Sequence, residues 1–110
     1  MQIPLEISYK NMEKSDAVEA RIREKAEKKF ERYAGQITSC RVVVEAPNRN
    51  HVHGSCFDVR IDLHVPGEEL VVTRNGANNP AHTDVYVAIR DAFDAAGRQL
   101  DDHARRKNGH

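Results

Sequence analysis

Five apolar residues at every second position, Phe57, Val59, Ile61, Leu63 and Val65, alternate with Asp58, Arg60, Asp62 and His64. A period of two sends successive side chains to opposite faces, so this segment is satisfied only as a strand with one wet face and one covered face. It therefore needs neighbouring strands beside it and an apolar layer above it. Ile3, Leu5, Ile7 and Tyr9 alternate in the same way with Pro4, Glu6 and Ser8 and predict a first strand. Residues 37–46, with Cys40, Val42, Val43 and Val44, predict a second, residues 56–65 a third, and Pro66-Gly67 a tight turn into a fourth at about 69–74. The second to fourth strands form a meander. The segment 47–54, PNRNHVHG, is a connection rich in turn formers.

The covering layer comes from two helices. Ser15 or Asp16 caps the first, which runs to about Tyr33 and stops before Gly35. Val18, Ile22, Ala26, Phe30 and Tyr33 recur at helical spacing and make its buried stripe. A connection at 75–82 ends at Thr83 or Asp84, either of which caps a second helix carrying Val85, Ile89, Ala92, Phe93, Ala96 and Leu100 on one face. Gly97 inside it costs up to about 1 kcal/mol relative to alanine, so it either permits a close approach to the sheet or the other helix, or is a tolerated imperfection. The order β-α-β-β-β-α predicts an α+β fold with two helices packed on one face of a four-stranded sheet.

A chain of 110 residues holds one core, so residues 1–110 are expected to form a single domain. No internal repeat or linker divides it. No apolar run approaches the roughly 18 residues of a membrane span, and the start MQIPLE lacks the layout of a signal peptide. A soluble cytoplasmic protein without a membrane partner is the expectation. Cys40 and Cys56 are the two cysteines. In a hairpin that sets Cys56 opposite about Glu45, Cys40 lies roughly 16 Å further along, beyond disulfide reach. Small apolar packing in a reducing compartment suits both.

Catalytic chemistry finds no support. His51, His53 and Cys56 sit in or beside one connection and lack a second ligand pair at metal-binding spacing, so no metal is expected. There is no phosphate loop, dinucleotide glycine fingerprint, nucleophile elbow or paired-cysteine redox motif. The reading is a non-enzyme with no cofactor and no small-molecule substrate.

Charge is more informative than its sum, which is zero from 17 Lys plus Arg and 17 Asp plus Glu. On a wheel of 100° per residue, Arg21, Lys25, Lys28, Lys29 and Arg32 fall within an arc of about 100°, between the apolar stripe and the acidic Glu24, Glu27 and Glu31. The first helix thus has core, basic and acidic faces. A basic stripe about 16 Å long can follow several RNA phosphates; it can equally be a solvated face with Glu24–Lys28 pairs that aid solubility. Residues 84–102 of the second helix hold five aspartates against Arg90 and Arg98, and a short basic tail from about 103 then carries Arg105, Arg106 and Lys107. The tail bases either grip phosphate or favour the helix dipole.

The second helix also carries a resemblance. Asp84-Val85-Tyr86-Val87-Ala88-Ile89 followed by Arg98-Gln99-Leu100 resembles the D-x-Y-x-A-I and R-Q-L pattern of the bacterial ribosome hibernation-promoting factors. That family is also labelled ribosome-associated inhibitor, ribosomal subunit interface protein or sigma-54 modulation protein. Lys29-Phe30-Glu31-Arg32-Tyr33, then Gln36-Ile37 and Val42-Val43-Val44, looks like the family's first helix and its exit. The similarity runs from the first strand to about His103.

This resemblance implies a shape similar to double-stranded-RNA-binding domains. It implies a stress-response factor on the small ribosomal subunit, contacting 16S rRNA and blocking the mRNA and tRNA sites by steric exclusion. Carried over by position, the RNA contacts are Arg21, Lys25, Lys28, Lys29 and Arg32 from the first helix and Arg98 from the second, extended by Arg105, Arg106 and Lys107. The family's K-L-x-R-Q-L-x-K is here AAGRQLDD over 95–102, so both lysines are replaced. The chain looks like a short form, for which ribosome pairing would need another factor. The competing reading is a protein-interaction or stress-regulatory module that uses the same fold without occupying the decoding channel.

Overall fold

The computed structural model describes residues 4–46, 57–74 and 84–108, and of Arg74, Lys107 and Asn108 only the backbone. Four strands, β1 (Leu5–Lys10), β2 (Ser39–Glu45), β3 (Asp58–Val65) and β4 (Glu68–Arg74), form one sheet in the order β1-β2-β3-β4. Two helices, α1 (Asp16–Phe30) and α2 (Val85–Asn108), cover one face of it. This is the expected β-α-β-β-β-α arrangement. β1 and β2 are parallel, which demands a crossover, and α1 supplies it. β2, β3 and β4 are antiparallel neighbours. β1 begins at Leu5, after Pro4, and Ile3 lies outside the described residues.

Alternation decides which face is covered. Val59, Ile61, Leu63 and Val65 of β3 are buried with Val42 and Val44 of β2 and Leu70 and Val72 of β4. Val18, Ile22, Ala26 and Phe30 of α1 and Ile89, Ala92, Phe93, Ala96 and Leu100 of α2 close over them. The rings of Phe30 and Phe93 meet at 5.4 Å between the helices. Pro66 and Gly67 turn β3 into β4, and the φ of 81° at Gly67 is the left-handed value that a type II turn needs at its third residue.

Several boundaries differ from the sequence reading. The Ser15 hydroxyl accepts from the Val18 amide and caps α1, whose last turn, residues 31–33, tightens into a 3-10 helix before Gln36 and Ile37 donate back to Tyr33. Asp58, rather than Cys56, stands opposite Glu45. Shifting a strand by two residues keeps every side chain on its face, so the alternation cannot choose between these registers. Cys56 lies outside the described residues; Cys40 is a free thiol opposite Leu63, and burial pushes its pKa up to about 12. The segment from 103 to 108 is not a tail, since α2 continues through it to Asn108. Of the two cap candidates, Asp84 accepts from the Tyr86 amide, while Thr83 lies outside the described residues.

Gly97 is a tolerated imperfection. A β-carbon built there meets only the Lys29 Cδ, at 4.0 Å, an ordinary contact. Gly97→Ala is therefore expected to raise stability by about 0.5–1 kcal/mol through the entropy of the unfolded chain, measured as a higher urea midpoint with an unchanged slope.

Candidate nucleic-acid interface

The basic stripe of α1 exists because its apolar positions recur every three or four residues, which leaves the intervening cations on the flanking arc. Acidic Asp16 and Glu19 stand in its first turn and basic Lys28 and Lys29 in its last, both favourable to the helix dipole. The stripe lies beside α2. The Arg21 guanidinium sits over the Tyr86 ring at 4.9 Å, Lys29 pairs with Asp94 at 2.8 Å, and the Tyr33 hydroxyl donates to Asp101. Because these partners advance together along both chains, α1 and α2 run side by side in the same direction. The Tyr33 bond favours the neutral phenol, holding its pKa above the usual tyrosine value.

The five α1 candidates are therefore brought together but are not equivalent. Lys29 is committed to Asp94, which sequence spacing alone could not reveal. Lys28 makes a loose 3.5 Å pair with Glu24, and Arg32 lies 5.5 Å from the Tyr33 ring. Lys25 is half-buried and, among the described residues, has no acidic partner. The same holds for Arg98, which is exposed on α2.

The tail candidates separate. Taking Asp101, which touches Tyr33, as zero on the α2 wheel, Arg98 and Arg105 lie about 40–60° away on the solvent side and Arg106 about 140° away, toward β4. Arg105 and Arg106, a run of bases in the sequence, are each met by an acid: Arg105 by Asp102 at 3.4 Å and Arg106 by Glu68 at 3.3 Å. Extending the helix brought these bases within reach of acids one turn back and on β4. The side chain of Lys107 lies outside the described residues. Arg90, which sequence reasoning passed over, belongs to the same layer: it falls between Tyr86 and Asp94, the two α2 residues that touch Arg21 and Lys29. It was four residues before Asp94 and eight before Arg98, a spacing that was available. Its guanidinium meets Asp91 at 3.1 Å.

His103 was also missed, although it continues the stripe from Ala96 and Leu100. It is 5% exposed, with Nδ1 2.6 Å from a Glu68 carboxylate oxygen. A carboxylate only accepts, so Nδ1 carries the proton. That hydrogen bond first, and the Arg106 charge after it, hold the Glu68 pKa below the ordinary glutamate range. A depressed acid stabilises the fold above its unfolded pKa and loses that contribution as pH falls through the folded value. The difference in melting temperature between the wild type and Glu68→Gln should thus be largest above about pH 5.5 and close as acid protonates Glu68.

Among the described residues, no group of three or more His, Cys, Asp or Glu side chains is placed to hold a metal, and no helix is long and apolar enough to cross a membrane. His51, His53 and Cys56, considered as ligands from the sequence, lie outside the described residues. What the two-helix layer offers is a row of cations on a firm support, suited to a polyanion.

Comparisons with known proteins give the family and the fold. A family model described as "Sigma 54 modulation protein / S30EA ribosomal protein" matches residues 5–108. Among curated proteins none matches the chain. The fold is similar to the N-terminal domain of Protein Y from Thermus thermophilus, with a TM-score of 0.69 and 21% identity over 94% of this chain and 99% of that one. It is also similar to a ribosomal subunit interface protein from Coxiella burnetii, with a TM-score of 0.67 and 15% identity over 93% and 98% of the two chains.

Proposed function

We propose that this chain, which belongs to the sigma-54 modulation protein / S30EA ribosomal protein family, binds the small ribosomal subunit through its two-helix layer and excludes mRNA and tRNA from the decoding channel. The observation that carries this reading is the solvent side of that layer. Lys25 and Arg98 face it without acidic partners among the described residues, and Arg21, Lys28 and Arg32 flank them. Cations held on packed helices neutralise phosphates while losing little entropy of their own, and each contact releases counterions. The action is steric, with no bond made or broken and no cofactor, and it places the protein in the cytoplasm with ribosomes. A solved structure of the same fold is itself described as a ribosomal subunit interface protein.

Co-sedimentation with purified 30S and 70S particles tests the proposal. Saturable binding that falls with salt, and that mRNA with initiator tRNA opposes, is the expected result. Binding indifferent to both tRNA and mRNA would move the site out of the channel, and no binding at low salt would leave the regulatory-module reading.

The acids of α2 set a second expectation. Asp94 holds Lys29 in a pair whose members are 41% and 35% exposed, so the pair contributes no more than about 1 kcal/mol to stability. Asp94→Asn removes one repelling charge and releases one cation. Ribosome affinity should rise several-fold and the salt slope steepen by about one contact, read from binding isotherms at three salt concentrations.

A further inference from the structure

We propose that the free edge of β4 is a self-association site, at which a second copy of this chain pairs antiparallel about Val71 and joins two four-stranded sheets into one. β4 closes the strand order, so among the described residues one side of it has no strand neighbour. Natural edges are blunted by proline, a bulge, shortness, charged side chains or a covering element, and of these β4 carries charges, Glu68, Glu69 and Arg74, which oppose one another only in some registers. Its seven residues run without proline, bulge or shortness, and Val71 at their centre, 39% exposed, is the only exposed large apolar side chain among the described residues.

The backbone direction is fixed by two observations. The tight turn at Pro66-Gly67 makes Val65 and Glu68 the closing pair, so Glu68, Leu70 and Val72 bond to β3. Glu69, Val71 and Thr73 then present their N–H and C=O to the open side. Consistent with this, the only described residue that meets the Val71 carbonyl from that side is Gln99, whose amide donates to it at 3.4 Å, a long bond that is readily exchanged. Among the described residues, the edge is therefore covered by one side chain and by no further strand.

The sequence of β4 is self-complementary in one register. Antiparallel pairing centred on Val71 sets Val71 against Val71, Leu70 against Val72, Glu69 against Thr73 and Glu68 against Arg74. A parallel pairing would instead set Glu68 on Glu68 and Glu69 on Glu69, and like charges directly opposite are unfavourable. The helices fit as well. α2 packs over both β3 and β4. With strands about 4.8 Å apart, its axis stands about 5 Å from the two-fold axis, and the two copies of α2 lie about 10 Å apart, the spacing of packed helices. Small Ala95 lies on that flank of α2, on the same side as Gln99 and Arg106 by the wheel.

Light scattering over a concentration series, combined with cysteine cross-linking in a Cys56→Ser background, tests this. The chain should pass from monomer to dimer mass, and Val71→Lys should remain a monomer with an unchanged melt. Thr73→Pro, which removes an outward N–H and no bond to β3, should do the same. Val71→Cys should oxidise to a covalent dimer, since the paired α-carbons stand about 5.5 Å apart. Glu69→Cys should not, because its two copies lie about 13 Å apart in this register. A chain that is monomeric at every concentration, a Val71→Lys dimer, or Glu69→Cys cross-linking as readily as Val71→Cys would each overturn the proposal.

Discussion

Changing Lys25, Lys28 and Arg32 together to glutamate is expected to abolish ribosome binding while the domain stays folded. None of the three is buried, and among the described residues only Lys28 has an ion-pair partner, the exposed 3.5 Å contact with Glu24. Losing that pair and adding like charges three and four residues apart costs a few tenths of a kcal/mol per contact, with a similar loss near the helix C-terminus from the dipole. A total of about 1–2 kcal/mol leaves a domain of this size folded. The binding side is far more sensitive. Three lost phosphate contacts flatten the salt slope by about 2–3, and three new negative charges then repel the same phosphates. At physiological salt this amounts to a loss of at least about 100-fold in affinity. Co-sedimentation beside a thermal melt reads both quantities at once. A variant that melts normally and still binds would remove the basic face of α1 from the mechanism.

The choice of those three residues shows where sequence reading stops. The strands and their covered face were legible because a period of two in β3 admits one solution, and Ser15 announced the start of α1 by chemistry local to four residues. The basic arc of α1 was legible for the same reason, since helical geometry alone places it. Which members of the arc are free was not. Lys29 is neutralised by Asp94, and Arg106 is drawn to Glu68, through contacts between elements 65 and 38 residues apart in the chain. Such pairings depend on which flank of α1 faces α2, and both flanks are compatible with the same apolar stripe. The end of α2 was misplaced because the basic run looked like a tail, although His103 continued the buried spacing beneath it. The pairing register of β2 with β3 was lost to a shift of two, which alternation cannot see. The fold was thus written in local periodicities, while the site depends on tertiary choices between equivalent faces.

Phe93→Ala is expected to be the most damaging single substitution, and for a reason that joins stability to the site. Phe93 is fully buried, and its ring meets that of Phe30 at an angle of 41° and a separation of 5.4 Å. The neighbouring positions 29 and 94 hold the Lys29–Asp94 pair, so one turn of each helix carries both the apolar and the polar fastening. Removing the ring opens a cavity between two helices and the sheet, at a cost of about 3–5 kcal/mol, of which the exposed ion pair can replace little. In a domain with about 5–15 kcal/mol in total, that loss lowers the melting temperature by on the order of 15 °C or more. Phe93→Leu conserves most of the volume and should cost less than about 1.5 kcal/mol. Urea unfolding of the two variants gives the stability ranking. Ribosome binding measured well below both melting temperatures then tests the spacing of the helices, because Lys25 and Arg98 stand on opposite sides of this seam. Leucine should preserve binding, and alanine should weaken it even where the protein remains folded. If the alanine variant unfolds like the wild type, the two helices are held apart at their present distance by something other than this pair of rings.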